Sequence, residues 1–240
     1  MECAPSSSIG QATGSATQTS FRVDSFRENA VQFVDDVLDE LGLESAVLVG
    51  ASGGGIWALW YALARPERLG GLVMLGSVPL LPGARIPLGI RLMATPVLGT
   101  LMSRAMKPSR PMMLRLMSSV GEGDTILRHP DLLNSLVDAA RDPVAAAANV
   151  AEFQALLSPL GRRPATRIQP DELRRLAVRT LMIWGDHDPV VAVADAREVA
   201  NLIPDAQLEV LPAGHVPQLG NPQRVAALLQ DFTRSRPSRE

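Results

Sequence analysis

Two apolar runs of the kind that form buried strands lie on either side of an apolar helix pattern in the first third of the chain. The first run covers residues 46–50, the helix pattern covers residues 53–64, and the second run covers residues 71–76. Strand, helix and strand in this order predict a βαβ unit, whose parallel strands are joined by a right-handed crossover. We therefore expect an α/β fold with a mostly parallel sheet.

An amphipathic helix pattern precedes this unit. Apolar residues recur at helical spacing over residues 26–41, and Gly42 ends the pattern. Ser25 and Glu28 have the spacing of a capping box, so we expect Ser25 to cap this helix. Residues 1–20 are rich in Ser, Thr, Gly and Ala without periodicity, and we expect a loop or tail there.

The last third of the chain repeats the alternation of strands and helices. Residues 178–185 and 206–211 are of strand type, and residues 193–202 between them are of helix type. Asn221 and Pro222 then open a final helix in the favoured N-cap and N1 order, with an apolar face that includes Val225 and Phe232. These elements extend the same flanked sheet.

The stretch of residues 79–176 differs from both ends because prolines interrupt its helical periodicity and six of the nine methionines fall in it. We expect a helical insertion over a core made of residues 1–78 and 177–240. The methionines either line an adaptable apolar pocket or pack the core of the insertion itself. Trp57, Trp60 and Tyr61, on the helix before the insertion, are expected to pack in the core rather than line a pocket.

Composition bounds the function without defining it. The 240 residues are 46% hydrophobic, which fits one domain with a buried core. A net charge of -2 gives no electrostatic case for binding nucleic acid or an anionic membrane. Cys3 is the single cysteine, no secretory signal pattern begins the chain, and no apolar run is long enough to span a bilayer. We therefore expect a cytoplasmic protein.

The junction between the first strand and its helix carries the pattern G-x-S-x-G, formed by Gly50, Ser52 and Gly54. Such a pattern between strand and helix predicts a sharp turn that exposes the serine side chain at the edge of the sheet. The alternative is a plain Gly/Ser loop between two core elements. The flanking strand and helix favour a nucleophile at Ser52, with helix amides beside it that suit negative charge.

A serine needs a neighbouring base, and the chain offers three histidines. His129 lies in the insertion before a proline, which indicates a surface loop, and His187 lies between Asp186 and Asp188. His215 follows the strand of residues 206–211, at the carboxyl end where open α/β sheets place functional groups. We therefore favour His215 as the base, and either aspartate as the carboxylate that orients it.

These motifs together resemble an α/β-hydrolase-fold serine hydrolase from about Asp24 to the last helix. The elbow at residues 50–54, the acid loop at residues 185–191 and the base loop at residues 214–217 occur in the order of that family. The resemblance implies the acid is Asp188 rather than Asp186, since the family's acid usually lies three residues after the glycine. It also implies that residues 79–176 form a cap and that no cofactor or metal is needed.

The resemblance implies a reaction as well. Ser52 attacks an ester-like carbonyl, the amide of Gly53 binds the oxyanion, and His215 activates the water that hydrolyses the acyl-enzyme. Relatives with aspartate at the elbow perform epoxide or haloalkane chemistry, and Ser52 argues against both. The substrate is expected to be a small, fairly apolar molecule.

The chain departs from the family pattern at its beginning. The family places three or four strands before the helix of residues 26–41, where this sequence has about two dozen residues. One of those strands normally neighbours the serine strand, and its loop supplies the second oxyanion donor. Residues 1–5 are expected to be the tail of that strand, with Gly10 and Gly14 in the loop after it. Losing an oxyanion donor costs about 3 kcal/mol, and an unpaired strand edge favours association, here as a homodimer.

Three functional hypotheses follow from these features. The first is a serine hydrolase of ester-like substrates. The second is a non-catalytic or impaired binding protein with the same fold, which the short beginning favours. The third is C–C bond hydrolysis or perhydrolysis on the same scaffold, which the motifs do not distinguish from ester hydrolysis.

Overall fold

Four parallel strands form a central sheet whose carboxyl ends lie along one edge. The structure is a computed structural model that describes residues 25–235. Its strands in chain order are β1 (Ala46–Ala51), β2 (Leu69–Leu75), β3 (Leu157–Ser158), β4 (Gly161–Arg162), β5 (Thr180–Gly185) and β6 (Ala206–Leu211). The sheet order is β1-β2-β5-β6, and β3 and β4 form a separate short antiparallel hairpin. The predicted α/β class with a parallel sheet is confirmed.

Helices connect and cover these strands. They are, in chain order, α1 (Phe26–Glu40), α2 (Gly53–Ala64), α3 (Leu88–Met93), α4 (Pro96–Ala105), α5 (Arg110–Ser119), α6 (Gly123–Leu127), α7 (Pro130–Arg141), α8 (Pro143–Leu156), α9 (Pro170–Arg174), α10 (Val193–Leu202), α11 (Pro217–Gly220) and α12 (Pro222–Arg234). Among the helices of residues 25–235, none is both long enough and apolar enough to cross a bilayer.

The sheet is covered on both faces, which explains why its inner strands are apolar throughout. Every residue of β5 is buried, as is nearly all of β2. Such continuous apolar runs are typical of parallel strands with helices on both sides. One face packs against α2 with the fully buried Trp60 and Tyr61, and the other packs against Val225 and Leu228 of α12.

The segment between β2 and β5 is helical, with a small core of its own. Met113 is buried there with Ile126, Leu133 and Val137. Met106 instead lines a cavity of about 930 Å³ between α4, α7 and α8. Met117 packs against the same core, so two methionines pack the core of the segment and Met106 lines a cavity. The β3–β4 hairpin in this segment was not predicted, because two-residue strands leave no periodic pattern.

The first helix begins where the pattern predicts, but its capping differs. Ser25 stands at the N-cap without a side-chain bond to the first turn, and its hydroxyl accepts a hydrogen bond from Asn29 Nδ2 at 3.4 Å. The predicted capping box of Ser25 and Glu28 is therefore wrong. A box of this type occurs instead at α9, where the backbone amide of Gln169 donates to Glu172.

Strand β1 lies at one end of the sheet formed by the described strands. Apolar side chains on and beside it are exposed, including Val49 at 48% and Phe33 at 48%. The predicted loop or tail at residues 1–20, and the strand remnant at residues 1–5, lie outside the described residues. The homodimer expected at this edge stays a prediction.

A buried carboxylate ties α1 to α2. Asp35 accepts hydrogen bonds from the Tyr61 hydroxyl at 2.5 Å, from Arg65 Nε at 3.2 Å and from Arg68 Nη1 at 3.1 Å. Burial alone raises the pKa of Asp35, but the donors from Tyr61 and Arg68 and the charge of Arg65 outweigh it and hold the pKa below its ordinary value. The ionised carboxylate therefore stabilises the packing of α1 against the sheet-covering helix.

Replacing Asp35 by Asn is expected to lower the free energy of unfolding at pH 7 by about 1–2 kcal/mol, because charge-assisted hydrogen bonds are weakened. Since the folded-state pKa of Asp35 is depressed, its contribution is present above the unfolded-state pKa and is lost as the pH falls through the folded-state value. The difference between wild type and variant should therefore shrink below about pH 4. Urea unfolding at several pH values measures it, with Asp36→Asn on the exposed face as the control. Equal losses in both variants would contradict the assignment.

Candidate active site

Ser52 occupies a strained turn between β1 and α2. Its backbone has φ 48° and ψ -113°, and it is the one non-glycine among the described residues with a positive φ. Holding a side chain in this region costs about 1–3 kcal/mol and is common at functional sites. A Cβ on Gly50 would lie 2.5 Å from the carbonyl oxygen of Gly54, so the strand and helix approach too closely for any other residue. The predicted sharp turn is therefore present.

The predicted base reaches this serine from the loop after β6. His215 Nε2 lies 2.8 Å from Ser52 Oγ. On the other side of the ring, Nδ1 lies 3.1 Å from Asp188 Oδ2, and Asp188 belongs to the loop after β5. The side chain of Asp188 is fully buried and that of His215 is 10% exposed. Three loops at the carboxyl ends of β1, β5 and β6 thus bring together the three residues selected from the sequence.

The surroundings of Asp188 keep it ionised. It accepts hydrogen bonds from the amides of Val190 at 2.9 Å and Ser77 at 3.0 Å, and from the Ser77 hydroxyl at 3.1 Å. Burial alone raises the pKa of Asp188, but the hydrogen bond and charge of His215 and these donors outweigh it and lower the pKa. An ionised carboxylate accepts a hydrogen bond from a protonated ring nitrogen, so Nδ1 carries the proton. Nε2 is then unprotonated and accepts the hydrogen bond from the Ser52 hydroxyl.

Ser77 is a member of this cluster that sequence reasoning missed. It follows β2, and its Oγ lies 2.9 Å from His215 Nδ1 as well as 3.1 Å from Asp188 Oδ1. The hydroxyl therefore touches both partners of the acid–base pair from the side. The position of Ser77 just after a strand was an indication of this role. Strand β2 lies between β1 and β5, so the residues after its carboxyl end lie beside the loops that carry Ser52 and Asp188.

Glu122 is a second missed residue, and it holds the base loop in place. It lies between α5 and α6, is 1% exposed, and its Oε1 accepts hydrogen bonds from the amides of Gly214 at 2.9 Å and Val216 at 3.3 Å. The amide of His215 donates to the carbonyl of Val120 at 2.8 Å. Three consecutive amides of the base loop are thus bound by the helical segment. No local pattern predicts a contact between positions so far apart in the chain.

The remaining candidates from the sequence lie outside the cluster. Asp186 accepts from the amide of Ala213 at 3.2 Å and lies 2.5 Å from Nδ1 of His187, with both side chains more than half exposed. Asp186 therefore connects the acid loop to the base loop, whereas Asp188 is the aspartate that contacts the ring of His215. His129 is exposed at the start of α7.

The amide of Gly53 is the first of α2 and adjoins Ser52, where the unpaired amides at a helix start favour negative charge. The sequence assigned no residue as the second oxyanion donor, and the loop predicted to contain Gly10 and Gly14 lies outside the described residues. Within residues 25–235, no group of three or more His, Cys, Asp or Glu side chains is arranged to hold a metal ion. The arrangement of Ser52, His215 and Asp188 suits nucleophilic attack by a base-activated serine.

Ser77→Ala is expected to slow the reaction of Ser52 with a fluorophosphonate about tenfold, since the acid–base pair loses a charge-assisted hydrogen bond. Stopped-time labelling at pH 7.5 measures the rate, with Ser135→Ala on the exposed face of α7 as control. An unchanged rate in a folded variant would show that Ser77 only fills space.

Comparisons with known proteins identify the family of this chain and several of its relatives. A sequence model described as the alpha/beta hydrolase fold matches residues 7–222. The 2-hydroxymuconate semialdehyde hydrolase of Pseudomonas putida is 29% identical over 205 residues, which cover 84% of this chain and 67% of the relative. A 2-hydroxy-6-oxo-6-phenylhexa-2,4-dienoate hydrolase of Comamonas testosteroni is 30% identical over 214 residues, which cover 85% of this chain and 68% of the relative.

Solved structures share the fold. The 2-hydroxy-6-oxo-6-phenylhexa-2,4-dienoate hydrolase of a Rhodococcus species superposes with a TM-score of 0.71 at 22% identity, over 90% of this chain and 73% of that one. The match spans about two thirds of the length of the two curated relatives named above. Because the family's sequence model covers most of the sequence, the chain belongs to the alpha/beta hydrolase fold family.

Proposed function

We propose that the chain is a serine hydrolase that cleaves a small or medium, fairly apolar ester or related acyl substrate through an acyl-enzyme. The observation that carries the proposal is the 2.8 Å contact of Ser52 Oγ with His215 Nε2, with Asp188 on the opposite ring nitrogen. Nucleophile, base and orienting acid are thus joined by consecutive hydrogen bonds, which is the arrangement that activates a serine. No cofactor enters this reaction.

In the acylation step, the Ser52 hydroxyl proton moves to His215 Nε2 while Oγ forms a bond to the carbonyl carbon. The carbonyl oxygen takes up the electron pair and accepts a hydrogen bond from the amide of Gly53. Asp188 stabilises the imidazolium that results. The intermediate then collapses, the bond to the leaving alcohol breaks, and His215 gives its proton to that alcohol.

In the deacylation step, His215 takes a proton from water as the water oxygen attacks the acyl carbon. The second tetrahedral intermediate collapses, the bond between the acyl carbon and Ser52 Oγ breaks, and the proton returns to Ser52. The products are a carboxylic acid and free enzyme. The buried hydrogen bonds to Asp188 contribute to both steps, since the ionised carboxylate keeps His215 in the tautomer with the proton on Nδ1 before acylation and again before deacylation.

The helical segment of residues 79–176 serves as the cap of this site. Its contacts with the base loop, through Val120 and Glu122, support this role because they tie the segment to His215 itself. A cap held at this place encloses the acyl side of the substrate and limits its size.

Hydrolysis of a C–C bond is the second candidate. It is favoured by the names of the relatives, several of which are hydrolases of 2-hydroxy-6-oxo-dienoates. Attack by Ser52 on a ketone carbonyl in place of an ester carbonyl would use the same nucleophile and base. The C–C bond beside that carbonyl would then break, and the departing carbon would take the proton that the alcohol takes in ester hydrolysis. A non-catalytic binding protein with this fold is the remaining alternative.

Steady-state hydrolysis of 4-nitrophenyl butyrate tests the first candidate. The wild type should turn the ester over, and Ser52→Ala should lower kcat/KM at least about 10³-fold because the nucleophile is removed. Ser135→Ala, which removes an exposed serine from α7, should match the wild type. The same three proteins are then given a 2-hydroxy-6-oxo-dienoate, whose cleavage is followed by its visible absorbance.

The outcomes separate the three alternatives. Ser52-dependent turnover of the ester supports the proposal. Turnover of the dienoate alone would replace ester hydrolysis by C–C bond hydrolysis. No turnover of either substrate by a protein with a native circular dichroism spectrum would favour a binding protein.

A further inference from the structure

A carboxylate from the cap segment lies beside the turn that carries Ser52. Glu152, on α8, has its Oε1 at 3.2 Å from Nε1 of Trp57, a residue of the helix that begins at Gly53. A Cβ placed on Gly53 would stand 3.7 Å from the same Oε1. The space that a side chain at position 53 would enter is therefore bounded by the carboxyl group of Glu152.

This carboxyl group has few partners. Trp57 Nε1 is the donor to Oε1, and among residues 25–235 no arginine, lysine or histidine lies within ion-pair distance of Glu152. Trp57 is itself fixed by edge-on ring contacts with Phe26 and Phe33. Burial raises the pKa of Glu152, and the hydrogen bond from Trp57 offsets this only in part. A packing role alone is served better by an apolar side chain, since a half-buried carboxyl with one neutral donor and no cation beside it costs stability.

The location next to Gly53 gives the group a direct effect on the substrate. The amide of Gly53 is the proposed oxyanion donor, and the 3.7 Å between Glu152 Oε1 and the Cβ position of Gly53 places the carboxyl group beside the residue that would bind the substrate carbonyl. An anionic group on that side of the substrate would be repelled by the carboxylate of Glu152, and the partial burial of Glu152 makes this repulsion stronger than in water. A neutral acyl chain meets no such repulsion.

We infer that Glu152 is a specificity-determining residue that selects neutral acyl groups and disfavours substrates with an anionic group close to the scissile carbonyl. This inference rests on the proposed serine hydrolase function and narrows its substrate class. It also separates ester hydrolysis from the second candidate, since a dienoate would have to direct its carboxylate away from α8.

Paired substrates of equal length test the inference. The neutral ester is 4-nitrophenyl pentanoate, and the anionic ester is the 4-nitrophenyl monoester of glutaric acid. Both esters are assayed at pH 8.5, because the Glu152 carboxyl, whose pKa is raised, is more fully ionised there than at neutral pH. The measured quantity is the ratio of kcat/KM for the neutral ester to that for the anionic ester.

Glu152→Gln keeps the length of the side chain and an oxygen that accepts from Trp57. It should lower the ratio about tenfold or more, mainly through faster cleavage of the anionic ester. Glu198→Gln makes the same charge change on the exposed side of α10 and should leave the ratio at the wild-type value. If the glutamine variant does not fold, Glu152→Met is measured in its place.

An active wild type whose ratio is the same in the Glu152 variant would overturn the inference while leaving the proposed function intact. A change of the same size in Glu198→Gln would also overturn it, because net charge rather than location would be responsible. A wild type that cleaves neither ester would remove the proposed function and this inference with it.

Discussion

The hydrogen bond between Ser52 Oγ and His215 Nε2 is the interaction on which the account of this protein depends. It joins two loops from strands that are not neighbours, since β2 and β5 lie between β1 and β6 in the sheet. The contact is made because the carboxyl ends of parallel strands open at the same edge and the loop after β6 reaches back across it. The strained backbone of Ser52 completes the contact by lifting Oγ out of the turn.

Much of the surrounding structure keeps the imidazole in one orientation. Asp188 and Ser77 lie against Nδ1, and the base loop is bound through its backbone by Val120 and Glu122 of the helical segment. The helical segment is thus bound to the loop that carries the base. If the segment moved without this loop, these hydrogen bonds would break, so we expect the two to move together.

The sequence predicted the parallel sheet, the serine turn and the meeting of Ser52, Asp188 and His215 because these depend on periodicity and chain order. It did not predict Ser77 or Glu122, whose importance arises from contacts between distant positions. The prediction of a capping box at Ser25 was wrong for a related reason. A local motif indicates which hydrogen bonds a residue can form, whereas the surrounding packing determines which of them it does form. Glu152 had no sequence signal either, because a lone glutamate on a helix usually faces solvent.

Labelling with a fluorophosphonate followed by peptide mapping identifies the serine that the fold activates. We expect one phosphonyl group per chain, located on Ser52, and much slower labelling when His215 is replaced by Ala. A folded wild-type protein that takes up no label, or that is labelled at another serine, would show that Ser52 is not an activated nucleophile.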